Sequence, residues 1–170
     1  VYSIGAQVEL LQDGRSLGKK KLKDYAASFP VVYQPGVLEA ISYDEKGREI
    51  GRSTLRSANS TRKLTVTADK MTFAANGEDL AYLDIALTDE NGIVHVLDDS
   101  MISVTVDGCG TLQGLGTGNP KPEEPYDGNV CRSYQGRAQA VIRSGCKTGE
   151  ICVTIHADGY EDFRVTLKAQ

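Results

Sequence analysis

Alternation of apolar and polar side chains with a period of two is the feature that most restricts the fold of this chain. About ten short segments alternate in this way, and no long segment shows the 3.6-residue period of an amphipathic helix. In the clearest segment, residues 81–88, every odd position is apolar. Because successive side chains of a strand point to opposite faces of a sheet, the sequence predicts an all-β fold.

Turn signals and one polar stretch divide the chain into two parts. Asp13-Gly14 predicts a type I′ hairpin, since both residues tolerate the positive φ that this turn requires. Residues 57–61 are small and polar, which is typical of a boundary between domains. We therefore predict two immunoglobulin-like β-sandwich domains in tandem, over residues 1–60 and 61–170.

The first domain is expected to be short of strands. Alternation and turns predict strands near residues 8–12, 15–18, 29–33, 37–43 and 48–55. An immunoglobulin-like sandwich needs about seven strands. Val1-Tyr2-Ser3 reads as the middle of a strand, so we expect a chain cut from a longer protein whose missing edge strand lies upstream of Val1.

Charge and hydropathy exclude two classes of partner. The net charge of −4 is unsuited to nucleic acid, whose phosphates require clustered lysine and arginine. The basic run at residues 19–23 is expected to be a solvated hairpin end or loop rather than a phosphate site. No segment approaches the ~20 apolar residues of a membrane span. We predict neither a nucleic-acid partner nor a membrane partner.

The sequence predicts no catalytic, cofactor-binding or metal-binding residues. The four cysteines form no C-x-x-C pair, and the two histidines are far apart, which argues against zinc. Glu123 and Glu124 are adjacent, so they are not spaced to flank a glycosidic bond as an acid/base pair must. The sequence contains no G-x-S-x-G nucleophile turn.

The cysteines leave the disulfide pattern open. Free buried thiols are as acceptable as bridges. Of the possible bridges, Cys109–Cys131 is preferred because it would close the long loop between them. If Thr148-Gly149 is a two-residue hairpin turn, Cys146 points inward and Cys152 outward, so a bridge between those two is geometrically poor.

A glycine-rich run, residues 108–118, begins a long predicted loop at residues 111–129. It lacks the glycine spacing of a phosphate-binding loop, and no helix pattern follows it. Loops of this length often contact a ligand or a neighbouring domain, and a disordered excursion is the alternative. We name Asn119, Tyr126 and Asp127 as candidate contacts to carbohydrate or to another domain. The absence of tryptophan weakens the carbohydrate interpretation.

Five segments carry a family resemblance, in the family's order and over nearly the whole chain. VYSIGAQVELLQDGRSLGKK (Val1–Lys20) and FPVVYQPGVLEAISYDEKGREI (Phe29–Ile50) resemble an accessory domain found after the catalytic barrel of bacterial glycoside hydrolase family 2 enzymes, chiefly β-galactosidases. ANGEDLAYLDIALTDENGIV (Ala75–Val94), VDGCGTLQGLGTGNP (Val106–Pro120) and YQGRAQAVIRS (Tyr134–Ser144) are similar to strands and a loop of the same enzymes. Departures are small, such as Asp13 in place of the usual Asn at the hairpin.

The resemblance implies a noncatalytic region of a longer enzyme. Such a parent would hydrolyse β-galactosides or related glycosides by a retaining mechanism, with both catalytic glutamates on an upstream barrel. The expected partner of this chain is that barrel, which the chain would brace or whose rim it would shape, and weak carbohydrate binding is a further expectation. The parent is expected to be bacterial, and periplasmic or secreted rather than cytoplasmic. The alternative is a carbohydrate-binding or adhesin-type bacterial immunoglobulin-like module.

Overall fold

The computed structural model describes residues 1–170 and consists of strands joined by turns and loops, without any helix. The predicted all-β class is therefore confirmed. Accordingly, no helix is present that has the length and apolar character needed to cross a membrane. The chain forms two compact units, Val1–Ser57 and Ala58–Gln170, and each is described by itself.

The first unit contains one antiparallel sheet in the order β2-β1-β3-β4. Its strands are β1 (Gln7–Gln12), β2 (Arg15–Lys21), β3 (Val37–Tyr43) and β4 (Glu49–Arg56). The β1–β2 hairpin turns at Asp13 and Gly14, whose φ angles are 50° and 80°. Both values lie in the region that a type I′ turn requires, so the predicted hairpin is confirmed. Val8 and Leu10 are buried on one face of this sheet, and Ile41, which is paired with Glu9, is buried on the other face.

The strand predicted at residues 29–33 is wrong, because this segment lies in the connection from β2 to β3 and belongs to no sheet. Pro30 lacks the N–H that a ladder hydrogen bond needs, and Val32 and Tyr33 are exposed. Residues 19–21 of the basic run are exposed and form one end of the β1–β2 hairpin. Lys19 lies 3.5 Å above the centre of the Tyr43 ring. The amino group of Lys20 donates to the carbonyl of Ser28 at 2.7 Å.

The second unit is a two-layer sandwich. A four-stranded sheet has the order β5-β7-β11-β9, and a five-stranded sheet has the order β10-β8-β12-β13-β6. The strands are β5 (Lys63–Ala68), β6 (Thr72–Phe73), β7 (Leu80–Thr88), β8 (Met101–Gly108), β9 (Gly110–Gly116), β10 (Val130–Arg132), β11 (Arg137–Ser144), β12 (Gly149–Ala157) and β13 (Phe163–Ala169). All pairs are antiparallel except β13–β6.

The core of the second unit lies between these two sheets. The odd residues of β7 are buried as predicted, and they share one apolar cluster with Ile142 of β11 and Ile155 of β12. No buried side-chain nitrogen or oxygen atom lacks a hydrogen-bond partner. Dense packing and full polar satisfaction together are what a stable sandwich requires.

The start of the predicted 111–129 loop is wrong, because residues 110–116 form strand β9 and the loop covers residues 117–129. Because glycine has low β propensity, the glycine-rich residues 110–116 do not show the pattern of a strand. The strand forms because β9 pairs with β11 and buries Leu115. Glycine is also needed at Gly110, where a side chain would lie 2.7 Å from Ile151.

Candidate functional site

The edge of the four-stranded sheet carries a groove built around Tyr126. Leu115 of β9 donates its backbone N–H to the carbonyl of Tyr126 at 2.9 Å, which ties the 117–129 loop to this edge. The Tyr126 ring lies against Gly116, where an added Cβ would come within 2.6 Å of a ring carbon. The absence of a side chain at Gly116 therefore makes room for the ring, and Tyr126 remains 56% exposed.

A row of polar side chains continues the groove across the outer face of the sheet. Gly116 is paired with Gln139 of β11, and Gln139 is paired with Asp84 of β7. The side-chain amide of Gln139 donates to Oδ1 of Asp84 at 2.8 Å. The exposed guanidinium of Arg137 lies at the same groove, whose volume is about 560 Å³. The result is a concave surface with one aromatic ring, one carboxylate, one amide and one guanidinium.

Of the three residues named from the sequence, only Tyr126 lines this groove. Asn119 is engaged in its own loop, where its side-chain oxygen accepts from the backbone N–H of Lys121 at 3.0 Å. Asp127 is exposed beside Tyr126 and does not line the groove. The structure does not bring the three together around one ligand position.

Sequence reasoning missed Asp84, Arg137 and Gln139 as members of this site. A signal was present, since all three are polar residues at outward positions of alternating strands. What the sequence lacks is the register, which places Gln139 opposite Asp84 although they are 55 positions apart. Strand pairing over such distances cannot be read from local patterns.

The histidines are committed to local contacts. The Nε2 atom of His95 lies 2.8 Å from the carbonyl oxygen of Thr61. The Nδ1 atom of His156 lies 2.8 Å from a carboxylate oxygen of Asp162, and this hydrogen bond raises the pKa of His156. No group of three metal-capable side chains lies together in the structure.

Asp98 is the centre of a hydrogen-bonded network beside the core. The hydroxyl of Tyr160 donates to Oδ2 of Asp98 at 2.8 Å, and the backbone N–H of Ser100 donates to Oδ1 at 2.9 Å. Arg62 lies 3.8 Å from the same carboxylate. Burial by itself raises the pKa of Asp98, but these donors outweigh burial and lower the pKa below its ordinary value. The network joins three loops and serves structure.

A buried carboxylate, Asp89, organises the turn after β7. It accepts backbone N–H groups from Asn59, Asn91 and Ile93 at 2.8–3.0 Å. Desolvation opposes its charge, yet these donors hold the pKa of Asp89 below its ordinary value. Its oxygens are directed to backbone donors, so Asp89 acts as a structural residue.

The predicted Cys109–Cys131 bridge is wrong, because all four cysteines are free. Cys131 pairs opposite Ile102 on β8, whereas Cys109 lies beyond the other end of that strand. Seven residues of strand separate those positions by roughly 23 Å, and a disulfide spans less than about 7 Å between Cα atoms.

The inward orientation predicted for Cys146 is also wrong. Cys146 is exposed, and Cys152 is exposed as predicted. Strands β11 and β12 belong to different sheets, so residues 145–148 cross between the two layers instead of making a two-residue hairpin. Alternation along β12 therefore gave the correct orientation for Cys152, but it could not be extended through residues 145–148 to Cys146.

Comparison with known families identifies the chain. The family model for the glycoside hydrolase family 2 C-terminal domain 5 matches residues 64–166, which is more than half of the chain. The chain belongs to this family. A second model, a domain of unknown function named DUF4982, matches residues 1–51. The family resemblance drawn from the five sequence segments is thereby confirmed.

Three relatives of this C-terminal domain 5 chain come from Bacteroides. It is 25% identical over 171 residues to the β-galactosidase BoGH2A of Bacteroides ovatus, a match that covers 99% of the chain and 20% of the relative. A solved glycosyl hydrolase family 2 member from Bacteroides cellulosilyticus is 33% identical, with a TM-score of 0.92 over 98% of the chain and 23% of that structure. A β-glycosidase from Bacteroides vulgatus, 24% identical, has the same fold with a TM-score of 0.83 over 97% of the chain and 21% of that protein.

The domain 5 chain spans about a fifth of the length of these relatives. It corresponds to a small C-terminal region of family 2 proteins, which agrees with the predicted accessory region. The comparisons do not favour the alternative in which the chain as a whole is a carbohydrate-binding or adhesin-type bacterial immunoglobulin-like module.

Proposed function

We propose that this chain is the noncatalytic C-terminal region of a family 2 glycosidase that hydrolyses β-galactosides or related glycosides. The observation that carries the proposal is the match of residues 64–166 to a C-terminal domain of this family. The β-galactosidase relative, of which the chain matches 20%, supports it. The chain would brace the catalytic barrel or shape its rim. Its chemistry agrees with that role, since the groove at Tyr126 holds one carboxylate rather than an acid/base pair.

The surface of the first unit supports a bracing role. Several large apolar side chains are more than two-thirds exposed there, among them Ile4, Val32, Tyr33 and Leu55. Surface apolar residues occur singly on most proteins, but this many on a unit of residues 1–57 are typical of a unit that another protein element covers. A small unit with such a surface gains stability from a neighbour, which is what a brace needs.

A comparison of activities tests the noncatalytic assignment. The polypeptide that carries this chain after a family 2 barrel should hydrolyse a chromogenic β-galactoside, and the purified 170-residue chain should not. Turnover by the chain alone at enzyme-like rates would overturn the assignment. Failure of the longer polypeptide to hydrolyse β-galactosides, β-glucosides and β-glucuronides would overturn the glycosidase proposal.

Paired substitutions test the bracing role. Val32→Ser and Ile4→Ser should lower the thermal inactivation temperature of the longer polypeptide but leave the unfolding of the 170-residue chain nearly unchanged. The control is Leu97→Ser on the second unit, which is 93% exposed and should affect neither measurement. Equal effects of Val32→Ser on both proteins would refute docking of this surface on the barrel.

A further inference from the structure

The dimensions of the groove at Tyr126 suit a small ligand. Its volume of about 560 Å³ falls within the range of ~300–1,000 Å³ that is usual for ligand pockets. Its floor is open because Gly114 and Gly116 present backbone without side chains on the edge strand β9. The concavity therefore arises from the sequence of β9 and from the way the following loop folds back over it.

The aromatic wall of the groove is preorganised. Tyr126 is fixed through its carbonyl, which accepts from Leu115, and through one side of its ring, which lies against Gly116. More than half of the residue is still accessible to solvent. A ring that is already ordered loses little conformational entropy when a ligand packs against it. Tyrosine also offers an apolar face together with a polar hydroxyl.

The polar wall combines donors and acceptors without a large net charge. One oxygen of Asp84 accepts from Gln139, which leaves the second carboxylate oxygen and the Gln139 side-chain oxygen as acceptors. Arg137 is exposed at the groove, and its guanidinium supplies donors. An anion would face the Asp84 carboxylate and a wholly apolar ligand would leave these groups unpaired, so the wall suits a neutral ligand rich in hydroxyl groups.

We propose that this groove is a carbohydrate-binding subsite, in which Tyr126 packs against a sugar ring while Asp84, Gln139 and Arg137 hydrogen-bond its hydroxyl groups. The subsite makes no chemical change in the sugar. The proposal rests on the proposed glycosidase function only for the choice of test sugars, because the geometry of the groove is a property of this chain alone.

NMR titration of the ¹⁵N-labelled 170-residue chain with lactose, and separately with cellobiose, is the direct test. Amide shifts that saturate in the millimolar range or below, confined to β7, β9, β11 and the 117–129 loop, are the expected result. Tyr126→Ala should weaken binding on the order of tenfold or more. Tyr2→Ala, a change at an exposed tyrosine of the first unit, should leave binding unchanged.

Two matched glycine variants separate binding from folding. In Gly116→Ala the new methyl group meets the Tyr126 ring and must displace it, so sugar affinity should fall as it does in Tyr126→Ala. In Gly118→Ala the new methyl group meets nothing within 4 Å, and affinity should remain that of the wild type. Well-dispersed spectra of all variants establish that they are folded before affinities are compared.

The outcomes are decisive for each proposal separately. The subsite would be overturned if neither sugar caused localised amide shifts at concentrations well above the millimolar range. It would also be overturned if the shifts persisted unchanged in Tyr126→Ala and Gly116→Ala. The glycosidase proposal would be overturned independently if the longer polypeptide hydrolysed no glycoside. Sugar shifts at the groove in that case would still support the subsite.

Discussion

Removal of the Tyr160 hydroxyl should destabilise the second unit by an amount that the structure predicts. The Tyr160 hydroxyl donates to Asp98 at 2.8 Å, and the residue is only 8% exposed. Burial, followed by the hydrogen bond to Asp98, raises the pKa of Tyr160, so the phenol stays protonated and remains a donor at all ordinary pH values. Tyr160→Phe removes this donor and keeps the ring that packs in the core.

The expected magnitude is that of one hydrogen bond to a charged group, roughly 1.5–3 kcal/mol. The substitution leaves no cavity, and Asp98 keeps the N–H of Ser100 and the nearby Arg62 as partners. These remaining partners place the expected loss near the lower part of that range, at about 2 kcal/mol. For a unit of this size, Ala58–Gln170, such a loss lowers the melting temperature by about 8 °C.

Urea denaturation of the chain with a double-mutant cycle is the measurement. Tyr160→Phe should lower the free energy of unfolding by about 2 kcal/mol, whereas the same change in an Asp98→Ala background should cost well under about 1 kcal/mol. Equal losses in the two backgrounds would refute the assignment of the effect to this hydrogen bond. A loss below about 0.5 kcal/mol in the wild-type background would refute the charge-assisted interaction itself.

The pH dependence gives the same reasoning an independent check. The native pKa of Asp98 is lowered, so its contribution to stability is present above the unfolded value near 4 and is lost as pH falls through the native value. The stability gap between wild type and Tyr160→Phe should therefore narrow in acid. A gap that widens below about pH 4 would contradict the sign of this linkage.

Other parts of the second unit make measurable predictions of their own. Leu83→Ala should cost about 2–5 kcal/mol of unfolding free energy, because Leu83 is fully buried between the sheets. In an NMR titration the pKa of His156 should lie above about 6.5 and should fall in Asp162→Asn, which weakens the hydrogen bond to the charged ring. Cys131 should resist alkylation at neutral pH while Cys152 reacts, because burial, with a contribution from Glu124, raises the pKa of Cys131 to about 11.

Each of these three outcomes has a control or a contradicting result. Leu97→Ala, at a site that is 93% exposed, should change stability by less than about 0.5 kcal/mol, and a comparable loss for Leu83→Ala would refute its role in the core. The stabilisation from His156 should be present below the unfolded pKa and disappear as pH rises through the raised native pKa, and a stabilisation that grows with rising pH would contradict this assignment. Equal alkylation rates for both thiols in the folded chain would contradict the burial of Cys131.

Local patterns predicted most of the regular strands. The hairpin at Asp13-Gly14 and the strand at residues 37–43 have the positions expected from turn chemistry and alternation. Residues 81–88 bury the predicted face because a period of two is the geometry of a strand exposed on one side. In these elements local propensity and global packing agree, so the sequence alone is sufficient.

One error has a local cause, and the others occur where the determining contact is distant along the chain. The segment at residues 29–33 alternates like a strand, but Pro30 removes a donor and the segment joins no sheet. Judging a Cys109–Cys131 disulfide requires knowing which strand lies beside Cys131. Predicting the direction of the Cys146 side chain requires knowing that β11 and β12 lie in different sheets. Neither fact has a local signature in the sequence.

The same glycines that concealed strand β9 also shape the groove. Glycine contributes no side chain to an alternation pattern, so a strand containing Gly114 and Gly116 resembles a loop. The missing side chains are also what allow the Tyr126 ring and the backbone of its loop to approach the edge of the sheet so closely. An interior core strand would gain from larger residues at these positions, because they would pack and would raise β propensity. The presence of Gly114 and Gly116 on β9 is therefore better explained by the close approach of Tyr126 than by the stability of the strand. The weakest local signal in the chain thus lies at its candidate site.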